Sequence, residues 1–319
     1  MALIPYPFVG ETDCDSLRDF LQPEVQYSGD TLWHFGKGLR GAYLDFFEYN
    51  EYMPVGFIWR DSAGCIGAVS CICARTGVIR FQASPIHRGS AQLAAIIAHG
   101  EKVLKVLHPS LPPSVYVFAS HGELKQSIES SGYKVAGLRG IQFEHVLENG
   151  LPEKMPLHGH RFRLVDAANS EDIAKRAEIQ TASLSDGDDY TRAWQLRNIQ
   201  RSLRYTDQEG AWELVMLNSN DEMVAFVSVV LDRKHRIGEI RPLGAMRKNP
   251  QRDLLTLATL LEALHTLKEA GYERAVAKLD IDDSTNLVAN APSIEQVIAV
   301  GATLGLRETN RLFKYINQA

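Results

Sequence analysis

Apolar positions along this chain switch between two periods, and the switching pattern occurs twice. From Val78 the stretch GVIRFQAS reads as a strand. The stretch LAAIIAHGEKVLKVL then turns to a helical period, with apolar residues at 93, 96, 97, 103, 104 and 107. VYVFAS follows as a strand, ELKQSIESSG as a helix and LRGIQFEHVL as a closing strand. The same order returns from Ile237: the strand IGEIRPLGAM, the loop RKNPQRD, the long helix LLTLATLLEALHTLKEAG, the strand YERAVAKLD, and a shorter helix ending at Leu304-Gly305-Leu306.

Each of these units is preceded by further elements. In the first half a helix is predicted near Asp13–Asp15 and another from Thr31 to Tyr49. The strands VGFIWRD and CIGAVSCICA follow, joined by a turn at Asp61–Gly64. In the second half HRFRLVDA is a strand and SEDIAKRAEIQTASL a helix with Ser170 and Asp172 at its start. A second helix runs from Tyr190 to Leu203. A hairpin of WELVMLNS and EMVAFVSVVLD turns at Asn218–Asp221, and RETNRLFKYIN finishes the sheet. The segment from Glu148 to Gly159, polar and broken by proline and glycine, is the best linker candidate. It divides the chain into domains at 1–150 and 151–319. Ser70 with Ser228, Arg88 with Arg252 and Gly132 with Gly305 recur in order, with a lag that grows along the chain, as in a duplication with loop insertions.

Composition narrows the class without naming it. The 319 residues suffice for about two domains. A net charge of −5 and a pI near 6.1 give no reason to expect a nucleic-acid partner. No apolar run approaches the roughly 18–20 residues of a membrane span. The first residues have no basic segment ahead of an apolar one, so a cytoplasmic location is expected. Cys14, Cys65, Cys71 and Cys73 make no disulfide scaffold and read as buried small residues in a reducing compartment. The histidines show no metal-ligand spacing, and His158 and His160 read as solvent-facing.

The chemistry concentrates where a strand ends and a long helix begins. Free backbone N–H groups and the positive end of the helix dipole favour a phosphate or pyrophosphate there. In the first half this loop is Ser84-Pro85-Ile86-His87-Arg88-Gly89-Ser90-Ala91-Gln92. In the second it runs through Leu243-Gly244-Ala245-Met246 to Asn249-Pro250-Gln251-Arg252.

These residues make the chain resemble the GNAT superfamily of N-acyltransferases, in its tandem two-domain type, of which mycothiol synthase is an example. Pro85-Ile86-His87-Arg88-Gly89 matches the family phrase P-x-Y-R-G, and Glu129-Ser130-Ser131-Gly132-Tyr133 its E-x-x-G-F turn. Arg241-Pro242-Leu243-Gly244-Ala245 matches the start of the phrase in the second half, with Arg252 in the arginine position and Ala302 to Leu306 at the turn. The resemblance implies an α/β fold of two tandem GNAT-like domains, each a mixed, largely antiparallel sheet flanked by helices. It implies transfer of an acyl group, acetyl in the first instance, from coenzyme A to a small-molecule amine. Acetyl-CoA would be held at Arg88, Gly89, Ser90, Ala91 and Gln92, at Leu243, Gly244, Ala245 and Arg252, or at both. A homodimer is left open.

The chain departs from the family phrase in two ways. The later glycine positions hold Ala91 and Leu93 in the first half and Leu255 and Leu257 in the second. The tyrosine that protonates the leaving thiolate in many members is replaced by Ile128 and Gly301. Glu239, two residues before Arg241 on one strand face, is the candidate base. Asp186, Asp188 and Asp189 read first as a turn with a helix cap, and Asp280, Asp282 and Asp283 as a solvated loop. A rival reading is a catalytically silent module that binds coenzyme A or a metabolite; a third keeps the enzyme but with different acyl-thioester chemistry.

Overall fold

The structure is a computed structural model that describes residues 2–8, 56–73, 76–184, 211–233, 235–280 and 294–317, with isolated helical positions besides. The expected helices at Thr31–Tyr49 and Tyr190–Leu203, and the acids Asp186, Asp188, Asp189, Asp282 and Asp283, lie wholly or largely outside the described residues. In the first half the elements are β1 (Ile4–Pro7), β2 (Gly56–Arg60), β3 (Ile66–Cys73), β4 (Val78–Ala83), α1 (Ser90–Leu107), β5 (Ser114–Phe118), α2 (Gly122–Ser130) and β6 (Tyr133–Val146). In the second they are β7 (Arg161–Leu164), α3 (Ser170–Leu184), β8 (Ala211–Leu217), β9 (Met223–Asp232), β10 (Ile237–Ala245), α4 (Arg252–Glu269), β11 (Arg274–Asp280), α5 (Ile294–Thr303) and β12 (Arg307–Asn317).

The strands form one 12-stranded sheet in the order β1-β2-β3-β4-β5-β12-β6-β11-β10-β9-β8-β7. The pattern places RETNRLFKYIN at the end of the second-half sheet. The structure instead inserts this strand, β12, between β5 and β6, antiparallel to both. In exchange β6, the last strand of the first half, pairs antiparallel with β11 of the second. Each half is therefore closed by the other's final strand, and the two exchanged strands pair with each other from Arg307↔Glu144 to Asn317↔Tyr133. Parallel pairing joins β4 to β5 and β10 to β11, which makes the sheet mixed but largely antiparallel.

The exchange is built into both cores. α1 and α2 bury Leu93, Ile96, Leu104 and Ile128 against Ile79, Phe81, Val115 and Val117, and Tyr315 of β12 completes that cluster. α4 buries Leu260, Leu261, Leu264 and Leu267 against Ile240, Ala275 and Ala277, and Ile141 and Phe143 of β6 complete that one. Gly132 and Gly305, at φ of +89° and +70°, turn the chain from α2 into β6 and from α5 into β12. This left-handed backbone is where glycine costs least. The equivalence of these two glycines thus survives in three dimensions.

The linker is bound to the second half. His265 Nε2 lies 2.8 Å from the Pro152 carbonyl oxygen, and Lys154 sits 3.1 Å from carboxylate oxygens of both Glu262 and Glu269. Met155 and Leu157 pack onto the hydrophobic clusters beside it. Cys71 is buried as expected, whereas Cys65 is exposed in the turn before β3.

Residues 1–150 produced alone lack β12, so β5 and β6 keep open edges and the first core loses Tyr315. Circular dichroism on this fragment should show no cooperative thermal transition, and co-production with residues 151–319 should restore one. A cooperative melt of the fragment alone contradicts the exchange.

Candidate functional site

β4 and β5 pair in parallel only at Val78↔Ser114 and Ile79↔Val115. Beyond these positions the strands part, and the gap forms a cleft of about 210 Å³ lined by Phe81, Gln82, Ala83, Arg88, Ser120 and His121, among others. α1 starts at its rim. Its N-cap is Gly89 in extended conformation, without a side-chain cap and without an acid in the first turn. The amides of Gln92 and Leu93 both turn to the Gly89 carbonyl oxygen, at 3.0 and 3.1 Å. Those of Ser90 and Ala91 open the helix, where the first amides have no intrahelical acceptor.

A Cβ placed on Gly89 would lie 2.8 Å from Oε1 of Gln92, so this glycine leaves room for the Gln92 side chain to fold over the turn. Arg88 is anchored by Nε donating to the Ala83 carbonyl oxygen at 3.1 Å. The structure thus brings Arg88, Gly89, Ser90, Ala91 and Gln92 together at one rim. These residues fit a phosphate: backbone donors, a helix N-terminus free of acid, and an arginine.

The opposite wall is the turn from β5 into α2. It is held by the exchanged strand. Ala119 N–H donates to the Arg311 carbonyl oxygen at 2.8 Å. Asn310 Nδ2 donates to Ser120 Oγ at 2.8 Å, and Ser120 N–H donates to Asn310 Oδ1 at 3.3 Å. The His121 ring stands edge-on to Phe118, with centroids 6.0 Å apart. The sequence reading does not single out Ser120, His121 or Asn310. The one local signal is a serine and a histidine directly after a strand; Asn310 has none, because its partner is 190 residues away. Ile128, in the position of the family's tyrosine, is fully buried. Tyr133 is also buried and donates to Glu101 Oε1 at 2.8 Å. Burial, with Glu101 beside it, pushes its hydroxyl far above the usual tyrosine range.

The second half is built differently at the same place. The connecting loops, 84–89 and 246–251, have equal length, so Arg252 at the head of α4 corresponds to Ser90 and the counterpart of Arg88 is Pro250. The counterpart of Ala91 is Asp253, an acid in the first turn that repels anions. Asn249 occupies local donors: its Oδ1 accepts from Gln251 N–H at 2.9 Å and its carbonyl from Arg252 N–H at 3.0 Å. Leu255 is fully buried. β10 bulges between Ile240 and Leu243. Around that bulge Leu243 packs against the α4 core, Gly244 faces Ser183 and Phe226, and Ala245 is fully buried.

Glu239 lies opposite Val230, on the sheet face that carries Phe226 and Ser228. That face holds a buried group in which Arg176 Nε donates to Glu213 at 3.0 Å, Arg176 Nη2 donates to Ser228 Oγ at 3.0 Å, and the guanidinium lies 3.8 Å over the Phe226 ring. Burial pushes the Arg176 guanidinium below its usual range, and Glu213 pulls it back. From β4 to β10 the sheet order runs through β5, β12, β6 and β11. At roughly 4.8 Å per step that is about 24 Å, so Glu239 and the Arg88 rim belong to separate places. Among the described residues no cluster of histidine, cysteine and acid could hold a metal, and no helix is long and apolar enough to cross a membrane.

No protein-family model and no curated protein matches the sequence. Solved structures do match the fold. The chain is similar to a tandem GNAT protein from the clavulanic acid biosynthesis pathway, with a TM-score of 0.67 at 13% identity over 98% of each chain. It is similar to a GCN5-related N-acetyltransferase from Sphaerobacter thermophilus, with a TM-score of 0.60 at 16% identity over 98% of this chain and 95% of that one. A putative acetyltransferase from Pyrococcus horikoshii matches with a TM-score of 0.55 at 11% identity, over 99% and 89%. The fold is therefore of the GNAT type.

Asn310→Ala removes both hydrogen bonds that Asn310 makes with Ser120. A loss of about 1–3 kcal/mol in chemical denaturation is expected. Proteolytic nicking should increase in the β5–α2 turn, which the first half builds. Unchanged protection of that turn counts against β12 as its brace.

Proposed function

We propose that the protein is an acyl-CoA-dependent N-acyltransferase whose coenzyme occupies the first-half cleft, the acceptor being a small-molecule amine and the acyl group acetyl in the first instance. The observation that carries this reading is the acid-free start of α1, set with Arg88 at the mouth of the β4–β5 gap. The equivalent turn of the second half is closed by Asn249 and Asp253. Coenzyme A supplies an activated acyl thioester when bound. The amides of Ser90 and Ala91, with Arg88, would hold its phosphates, and Phe81, Gln82 and Ala83, which line the cleft, would flank the rest of it. Ser120 and His121 close the other side. His121 takes the proton that the attacking amine loses and returns it to the departing sulfur, leaving amide and free thiol as products. Glu239 stands too far away to share in this step.

A second reading, coenzyme binding without turnover, is favoured by Ile128, which offers no proton where the family has a tyrosine. Two measurements separate the readings. In calorimetry with acetyl-CoA, Arg88→Glu should abolish binding and Arg252→Glu should retain it; the reverse pattern moves the coenzyme to the second half. In an amine-acetylation assay, His121→Gln should lower kcat by about a hundredfold or more, while Glu239→Gln leaves it within twofold. Tight binding with no turnover across an amine panel selects the silent module. Loss of activity in Glu239→Gln places the chemistry in the second half.

A further inference from the structure

The cleft wall opposite Arg88 carries an ionisable group that has no task in the acyl transfer described above. Glu123 lines the cleft beside Ser120 and His121, and among the described residues it is the only acid that does so. It stands in the first turn of α2, two residues beyond His121, the N-cap of that helix.

The local backbone fixes its place. Gly122 N–H donates to the Ser120 carbonyl oxygen at 3.1 Å, and Lys125 N–H donates to that of His121 at 2.9 Å, so the helix begins directly behind the wall. Ser120 is held in turn by Asn310 of β12. Glu123 is exposed, and among the described residues no cation pairs with it. Lys125, the lysine of its own helix, lies 4.0 Å from Glu129 instead. An acid in a first helical turn gains from the helix dipole whichever way its side chain points. That gain does not require a place in the wall of a cleft.

A carboxylate in this wall opposes an anionic ligand and favours a cationic one. With Arg88 on one wall and Glu123 on the other, the cleft sorts its two reactants, phosphate towards α1 and cation towards α2. The cation is not the reacting nitrogen. That nitrogen attacks only after it loses its proton, and a carboxylate beside it favours the charged, unreactive form. Glu123 suits a second nitrogen that stays protonated throughout, as an alkylammonium of pKa about 10 does at neutral pH. Leu124, next in the lining and packed on the first core, offers apolar surface to the carbons between the two nitrogens.

We propose that the acceptor is an aliphatic diamine, with one nitrogen at His121 and the other held as ammonium by Glu123. This rests on acyl transfer in the first-half cleft, and the test lets the two fail separately. The full chain is titrated calorimetrically with coenzyme A at low salt. At saturating coenzyme A it is then titrated with tetramethylenediamine against butylamine and with hexamethylenediamine against hexylamine. In at least one pair the diamine should bind about fivefold tighter or more, although its tail is the less apolar, and the preference should shrink as salt is raised. Glu123→Gln should erase the preference while coenzyme affinity is kept or rises. Glu153→Gln, the same charge change on the exposed linker, should leave the preference intact. Equal binding within both pairs, no binding of any amine, or a preference that survives Glu123→Gln overturns the proposal and leaves the coenzyme site standing. If coenzyme A does not bind, the transferase reading falls. The same amine titrations of the protein alone then judge the cation site: a diamine preference lost in Glu123→Gln upholds it, and its absence sinks it too.

Discussion

The structure depends on the antiparallel pairing of β6 with β12. Each of these strands is the last element of its own half and the closing strand of the other, and their mutual ladder is the seam of the sheet. Without it β6 and β12 would both present open edges, which a mixed sheet of this size must cover or pair. The seam also carries apolar closure: Tyr315 fills the first core, and Ile141 and Phe143 fill the second. The two halves therefore repeat one order of elements while each completes the other's part of the sheet. This follows from where the strands lie and needs no further interface.

The elements themselves were legible in the sequence because their causes are local. The period change at Ser90 and at Arg252, the hairpin at Asn218–Asp221 and the glycines at 132 and 305 each act within a few residues of themselves. The exchange was not legible. RETNRLFKYIN has the alternation of a strand whichever neighbour it meets, and partner choice is set by residues more than a hundred positions away. The same limit hid Asn310. Arg252 was misplaced for another reason. Matching an arginine to a motif ignores loop length, and loops of equal length set Arg252 at the position of Ser90. The candidate site was half legible: the Arg88 rim could be read from motif and dipole, whereas Ser120 and His121 depend on how β4 and β5 part.

The contrast between the two strand-to-helix turns shows how one fold plan yields unequal chemistry. Both turns start a helix beside a leucine that belongs to the core, Leu93 in one and Leu255 in the other. What differs is how the first amides are treated. In the first half the N-cap is a glycine without a capping side chain, and the first turn is free of acid. In the second, Asn249 and Asp253 supply acceptor and negative charge from within the chain. A helix N-terminus that already holds its own anion gains little from an external one. The second half has placed its polar investment elsewhere. Arg176, Glu213 and Ser228 form a buried hydrogen-bonded group beneath α3, on the same face as Glu239. Such a group is costly to break and contributes little net stability over an apolar packing, and its hydrogen bonds tie α3 to β8 and β9.

The seam and the cleft meet at one pair of residues. Asn310 sits on the strand borrowed from the second half, and Ser120 on the wall of the cleft in the first. A ligand that binds the cleft better when Asn310 holds that wall stabilises the placement of β12 by the coupling free energy alone, and β12 strengthens its binding by that same amount. β12 is in turn continuous with α5 through Gly305, whose carbonyl oxygen lies 2.8 Å from Nδ1 of His145 on β6. The His145 Nε2 atom lies 3.0 Å from the carbonyl oxygen of Gly150, where the linker begins. A chain of direct contacts thus runs from the wall of the cleft through both exchanged strands to the joint between the halves. Strand exchange makes each half a structural ligand of the other, so occupancy of a site in one half bears on the stability of both.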